Sequence, residues 1–289
     1  MEGDAGAPID YAAIGHVTID VLADGSRRPG GTVLYSALQA ARLGARARIL
    51  TRGEESEIHE ALAPFAGELD VEVEPAPETT TLATRYDGNE RTQRMLAWAG
   101  PMLAPAPAAA ILHLAPVARE LGGDRELPAS RLVGLTPQGL ARHWSGPDEP
   151  VVLGPCGAGA ASLAGRCDAL VLGAGERAHC SAAIDAAIAA GARVAITDAG
   201  HPTTVLARAE TGRIAETVVA VPAAQEPVVD DLGAGDVFAA VFFIELARGA
   251  EAAEATRFAH AAAAVRVRGI GAAAIGHREA IERELGRAG

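Results

Sequence analysis

The stretch Val228-Val229-Asp230-Asp231-Leu232-Gly233-Ala234-Gly235-Asp236-Val237-Phe238-Ala239-Ala240 combines residue types that could do chemistry. A β-branched run ends in two acids, drops into two glycines around an alanine, and presents another acid where an apolar, Ala-rich stretch begins. The pattern predicts a strand at 228–230, a turn, and a helix running to Arg248. Gly233 and Gly235 would let the backbone take angles barred to other residues, so that several N–H groups converge on one point. The helix that follows adds its positive N-terminal end, which makes an anion site. Asp236 stands at the mouth of that site. An acid beside an anion cradle suggests phosphoryl transfer, with the carboxylate taking the proton of an attacking hydroxyl. The competing reading is an ordinary Gly-x-Gly turn with a capping Asp.

Other stretches repeat the theme. Gly30-Gly31-Thr32 opens a predicted helix at 33–43, and two glycines there allow close backbone approach to a ligand; a plain loop is the alternative. Glu176 follows a buried strand through Gly173-Ala174-Gly175, and by itself it could be only a first-turn helix acid. Arg142 closes Pro137-Gln138-Gly139-Leu140-Ala141, as a substrate contact or a surface residue.

The elements that must position these residues are legible as apolar runs. Strands are expected at 45–52, 111–114, 132–135, 170–172 and 194–197, with helices at 57–69, 181–190, 252–267 and 278–285. Residues 205–207 and 216–221 read as a small antiparallel edge. Residues 78–86 and 91–98 alternate about an Asp87-Gly88-Asn89-Glu90 turn, the signature of a hairpin. Repeated strand–helix order points to a mostly parallel sheet with helices on both faces. Right-handed crossovers then gather the loops after the strands along one edge, where Gly30, Gly31, Glu176, Thr197 and the 233–236 turn would share a crevice.

Asp230-x-x-Gly233-Ala234-Gly235-Asp236-x-Phe238 resembles the C-terminal signature of the ribokinase/PfkB sugar kinases. The resemblance implies an α/β, ribokinase-like three-layer fold with a small β lid, as a single domain over 1–289 whose lid comes from about 14–32 and 79–99. It implies Asp236 as catalytic base and Gly233, Ala234 and Gly235 as an anion hole. Asp20 would bind acceptor hydroxyls, with Gly30, Gly31 and Thr32 bordering the acceptor pocket and Arg142 reaching into it. Thr197 and Gly200 fall in the nucleotide loop, His260, Gly269 and Gly271 where the family encloses adenine, and Glu176 where it holds Mg²⁺ through water. The cofactors implied are ATP and Mg²⁺, and the lid implies a homodimer. The chain also departs from the pattern. Leu232 replaces a small hydroxyl residue, Asp231 a Thr or Pro, Gly173 an Asn and Tyr35 an Asn, and His201 stands near a missing loop glycine. Thr79-Thr80, Arg91-x-Gln93 and the Pro137-Gln138-Gly139 turn are most similar to the members that act on inositol-like cyclitols.

Bulk composition narrows the classes. Of 289 residues, 49% are hydrophobic and 3% aromatic, so a core must be built from Ala, Leu, Val and Ile. Every basic residue is Arg, so no lysine can contact a phosphate. A net charge of −12 argues against nucleic-acid and anionic-membrane partners. Cys156, Cys167 and Cys180 lack metal-site spacing and read as reduced thiols, consistent with a cytoplasmic protein. The expected function is therefore ATP-dependent phosphorylation of a hydroxyl on a small polyol, a sugar or a cyclitol such as an inositol. The rivals are a nucleoside kinase of the same family and a non-catalytic ligand-binding relative.

Overall fold

The computed structural model describes residues 10–87, 90–221 and 226–287. The first half runs β1 (Asp10–Ile14), β2 (Thr18–Val21), β3 (Arg27–Gly30), α1 (Thr32–Arg42), β4 (Arg46–Gly53), α2 (Glu55–Leu62), β5 (Leu69–Pro75), β6 (Thr81–Asp87), β7 (Glu90–Ala97), β8 (Ile111–Leu114) and β9 (Leu132–Leu135). The second half adds β10 (Arg142–His143), β11 (Glu149–Pro150), β12 (Val152–Leu153), α3 (Ala158–Ala164), β13 (Ala169–Gly173), α4 (Ser181–Ala189), β14 (Arg193–Asp198), β15 (His201–Arg208) and β16 (Ile214–Val219). Helices α5 (Ala234–Ala247), α6 (Ala252–Arg266) and α7 (Arg278–Arg287) complete it.

The large sheet has the order β16-β15-β14-β13-β9-β8-β1-β4-β5. Pairing is parallel from β5 through β14, and only β15, antiparallel to both β14 and the edge strand β16, runs against the others. Alternation along the strands divides the core. Tyr11, Ala13, Ile49 and Val171 face one way, into a cluster with α1, α5 and α6. Ala12, Ile14, Leu50 and Leu172 face the other way, against α3 and α4. This is the three-layer α/β arrangement, with helices on both faces of the sheet. Helix α5 is apolar almost all round, with an unbroken buried run from Val237 to Ile244. Such a helix belongs in the interior, and α5 lies between α1 and α6.

A second sheet, order β11-β7-β6-β2-β3, stands over the ends of the first. The apolar alternation of 9–21 reads as one strand, but the chain changes sheet at Gly15. That residue has φ +156°, and a Cβ there would lie 2.2 Å from the Ala115 carbonyl oxygen. β3 reads as loop in the sequence because Arg-Pro-Gly-Gly has little strand propensity, yet it pairs antiparallel with β2. The predicted strand at 228–230 is absent. Val228 and Val229 are exposed, and the Val229 and Asp230 amides donate to the Val267 carbonyl instead of to a ladder. The short strand β11 and helix α3 carry no strong pattern and escape sequence reading. The Gly88-Asn89 tip of the expected hairpin lies outside the described residues.

Candidate active site

Loops after the parallel strands and the start of α5 meet beneath the second sheet. Gly233 caps α5 in the left-handed region, at φ +81°. A Cβ on it would lie 2.2 Å from Tyr35 Cδ1, so the turn needs glycine twice over, for its angle and for the ring packed against it. Gly235 behaves differently from the sequence expectation. It has no positive φ, sits in the first helical turn, and a Cβ there would meet nothing within 4 Å. The Ala234 amide donates to the Asp231 carbonyl at 3.1 Å and is consumed by the turn itself. Helix geometry leaves the Gly235 amide without an intrahelical acceptor, beside Asp236 in the same first turn.

The turn is braced from behind. The Asp230 carboxylate accepts from the Leu232 amide at 3.0 Å, the Gly271 amide at 2.8 Å and the Arg266 guanidinium at 3.1 Å. Burial raises its carboxyl, but the two amides and the guanidinium outweigh this and hold it below the ordinary carboxylate range.

Asp20, on β2, is buried, and its Oδ2 lies over Gly30, where a Cβ would approach it to 2.2 Å. Only glycine leaves room for the carboxylate there. Gly31 has φ +93° and abuts the His16 carbonyl, and Thr32 begins α1. Arg142 is buried and donates to the Val117 carbonyl at 3.0 Å. Behind these loops the Glu120 carboxylate, fully buried, accepts from the His16, Val117 and Ala118 amides at 2.7–2.8 Å, clamping the turn after β1 to the turn after β8.

Asp20, Gly31, Thr32, Arg142, Gly233, Gly235 and Asp236 line one cavity of about 370 Å³. Gln93 from β7 and Gln138 add amides, Thr18 a hydroxyl, and Leu82, Val117 and Tyr35 apolar surface. Thr18 did not stand out in the sequence, although it lies two residues from Asp20 on one face of β2 and could have been found by strand alternation. A second cavity of about 470 Å³ adjoins the first, sharing Asp20, Tyr35, Asp231 and Leu232, and is bordered by Leu22, Arg28, Tyr86, Val228, Val229, Ile270 and Gly271.

The remaining sequence candidates line neither cavity. The Glu176 carboxylate accepts from the Gly173 amide at 2.9 Å and caps its own short turn. The Thr197 hydroxyl donates inward to the Leu172 carbonyl at 3.3 Å, and Gly200 lies in the tight connection between β14 and β15. His260 is buried in α6 with its ring edge-on to Phe238, centroids 5.1 Å apart, and burial pushes its pKa down to about 4. The Gly269 carbonyl accepts from Arg266 at 2.9 Å, so that glycine serves the bracing of the turn. Among the described residues no group of three or more His, Cys, Asp or Glu side chains is placed to hold a metal. The cavity carboxylates of Asp20, Asp231 and Asp236 fit a divalent cation carried mainly by phosphate oxygens and water, and Glu176 lines neither cavity. No described helix is long and apolar enough to cross a membrane.

A parallel sheet with helices on both faces, a second sheet over its carboxyl ends, and an acid-tipped glycine turn define the ribokinase-like fold, the fold of a class of phosphotransferases with hydroxyl acceptors. The comparisons agree. Residues 152–277, just under half of the chain, match the model of the pfkB family carbohydrate kinases, and this segment carries Glu176, Thr197 and the 233–236 turn. Among solved structures, the chain is similar to a pyrophosphate-dependent kinase in the ribokinase family complexed with a pyrophosphate analog and myo-inositol. That pair has 19% identity and TM-score 0.74, covering 94% of this chain and 99% of the other. Arabidopsis thaliana ribokinase complexed with ribose and ATP gives 18% identity and TM-score 0.69 over 96% and 99% of the two chains. Methanocaldococcus jannaschii nucleoside kinase gives 15% and 0.73 over 98% and 100%. At these identities the structural likeness is one of fold. Comparison with curated proteins gives no match.

Proposed function

We propose that the protein is a kinase that transfers a phosphoryl group to a hydroxyl of a small polyol, a sugar or a cyclitol such as an inositol. The observation that carries this reading is the meeting of Asp20, Arg142, Gln93 and Gln138 with the 233–236 turn in one cavity of about 370 Å³. That volume is near the lower end for ligand sites, and its lining is rich in hydrogen-bonding side chains, as a polyhydroxylated acceptor requires. Asp20 and the two glutamine amides orient the acceptor hydroxyls. Asp236 takes the proton of the attacking hydroxyl, and the turn at 233–235 with the α5 N-terminus meets the charge gathering on the transferred group. The second sheet, reading as a lid over 14–32 and 79–99, excludes water that would compete as acceptor. Mg²⁺, carried with the donor phosphates, would supply charge neutralisation beside the Asp20, Asp231 and Asp236 carboxylates.

ATP is the proposed donor, as in the ribokinase complexed with ribose and ATP. The inward-turned Thr197 and His260 favour testing pyrophosphate beside it. For the acceptor, the adjoining cavity favours a second reading. Tyr35, Tyr86, Val228, Val229 and Ile270 form an apolar wall there that a nucleoside base could use. The test is donor turnover, read as ADP or orthophosphate release, across a panel of cyclitols, pentoses, hexoses and nucleosides. Turnover with a cyclitol or sugar at least tenfold above any nucleoside is expected. Preference for nucleosides selects the second reading, and no turnover with any acceptor and either donor overturns both.

A further inference from the structure

Arg266 ends α6 with its side chain fully buried, a placement that costs free energy unless the charge is paired; its two terminal nitrogens are engaged, while among the described residues Nε has no hydrogen-bond partner. Its guanidinium donates to the carbonyl oxygens of Asp230 at 3.2 Å, Gly269 at 2.9 Å and Leu232 at 2.5 Å, and to the Asp230 carboxylate at 3.1 Å. Three carbonyl oxygens and a carboxylate gathered around the two terminal nitrogens are the kind of oxygen donors that hard cations take. Here a tethered side chain takes them. Two of those carbonyls, at 230 and 232, belong to the turn that leads into Gly233. On the other side the guanidinium lies 5.2 Å from the Tyr35 ring centroid, and that same ring packs against Gly233. The Tyr35 ring thus contacts both the guanidinium and Gly233, while the guanidinium itself holds the carbonyls of the same turn.

We infer that Arg266 is a built-in cation that holds the 230–233 segment in its anion-receiving shape, a positioning residue for the phosphate-binding turn rather than a phosphate ligand. The inference rests on the proposed role of that turn. It has a chemical consequence: the carbonyl cage needs a positive charge of its own, and removing the guanidinium leaves a cage that a diffusible cation can fill. Arg266→Ala should lower turnover about 100-fold, the scale seen when one donor of an oxyanion hole is lost, with acceptor KM within about threefold of wild type. Guanidinium chloride at tens of millimolar, and more weakly potassium chloride, should restore turnover at least tenfold, whereas urea at the same concentration should not. Wild type should respond to none of them.

Turnover within threefold of wild type in Arg266→Ala, or a loss that neither guanidinium nor potassium reverses, overturns the inference. Should Arg266→Ala show no cooperative thermal transition in either salt, Arg266→Lys decides. A tethered ammonium lacks the planar fork that reaches one pair of oxygens from each terminal nitrogen and cannot centre itself as a free ion does, so a tenfold or greater loss of turnover at near-wild-type Tm supports the inference, and wild-type turnover overturns it. Calorimetric binding of pyrophosphate gives a readout that does not need an acceptor. Wild type that binds pyrophosphate, with Arg266→Ala weakened and rescued by guanidinium, supports the inference even if no acceptor is ever phosphorylated. Failure of the kinase reading and failure of the Arg266 reading thus give different results.

Discussion

Replacing Gly233 by Ala isolates the contact between the 233–236 turn and the helix beside it. Two costs add. At φ +81° a residue with a Cβ sits in the left-handed region, worth about 1–2 kcal/mol. The new Cβ would also stand 2.2 Å from Tyr35 Cδ1, against 3.4 Å where ordinary contact begins, so ring and turn must part by more than an ångström. Tyr35 is 2% exposed and packed within the main core, so it cannot swing into solvent, and crowding of this kind costs about 1–3 kcal/mol. The sum, about 2–5 kcal/mol, is a large share of a stability that is typically about 5–15 kcal/mol. Urea unfolding followed by circular dichroism measures it, with Gly235→Ala as the internal control. At Gly235 the angle is helical and the Cβ meets nothing, so the substitution should be neutral or stabilising by up to about 1 kcal/mol from helix propensity. A double-mutant cycle with Tyr35→Leu separates the terms, because without the ring only the left-handed cost should remain. A Gly233→Ala protein within 0.5 kcal/mol of wild type, on the order of the usual error of such comparisons, would refute the argument that this turn is held by the ring. Gly235→Ala should nonetheless lose activity if phosphate approaches that amide closely, a separation of function from stability that Gly233 cannot offer.

Asp236→Asn keeps shape but not basicity, and turnover should fall about a hundred- to ten-thousand-fold with donor affinity near wild type; unchanged turnover removes the base from this position. Glu176→Gln should shift the free Mg²⁺ needed for half-maximal activity upward, and superimposable titrations would leave Glu176 with only its cap on Gly173. His16, His113 and His260 are all held below the ordinary histidine value, mainly by burial, with His113 pushed down to about 3 and His260 to about 4. Folded pKa values below unfolded ones mean stability that is complete above about 6.5 and lost as pH falls toward the folded values, so urea midpoints should decline from pH 7 to 4.5; a flat profile over that window contradicts the assignment. The second sheet carries exposed Tyr86 on β6, with Trp98 just beyond β7, and sedimentation should show a homodimer joined there, a monomer being the contrary result.

The sequence by itself determined the class of fold and singled out the 233–236 turn as the candidate site. Strands β8 and β9 appear at the residues their apolar runs predict, because they are short, buried and bounded by turn residues, and the β15–β16 edge, exposed at β16, lies close to where alternation put it. The 233–236 turn was legible for the same reason that it is local: glycine, acid and helix start are all encoded within a few residues. Tertiary structure decided what those residues touch. Which of the two glycines is conformationally required depends on a ring from α1, some two hundred positions away, and resolves in favour of Gly233. The strand expected at 228–230 fails because the segment's amides find the Val267 carbonyl, a partner supplied by the residue that caps the end of α6. His260 turns inward onto Phe238, since a helix buried on one side turns some of its polar residues into the core whatever their local spelling. Arg266 reads in the sequence as one more arginine in an alanine-rich helix. Its role exists only after α6 has packed on α5 and set the guanidinium among three carbonyl oxygens, a long-range coincidence that local pattern cannot encode.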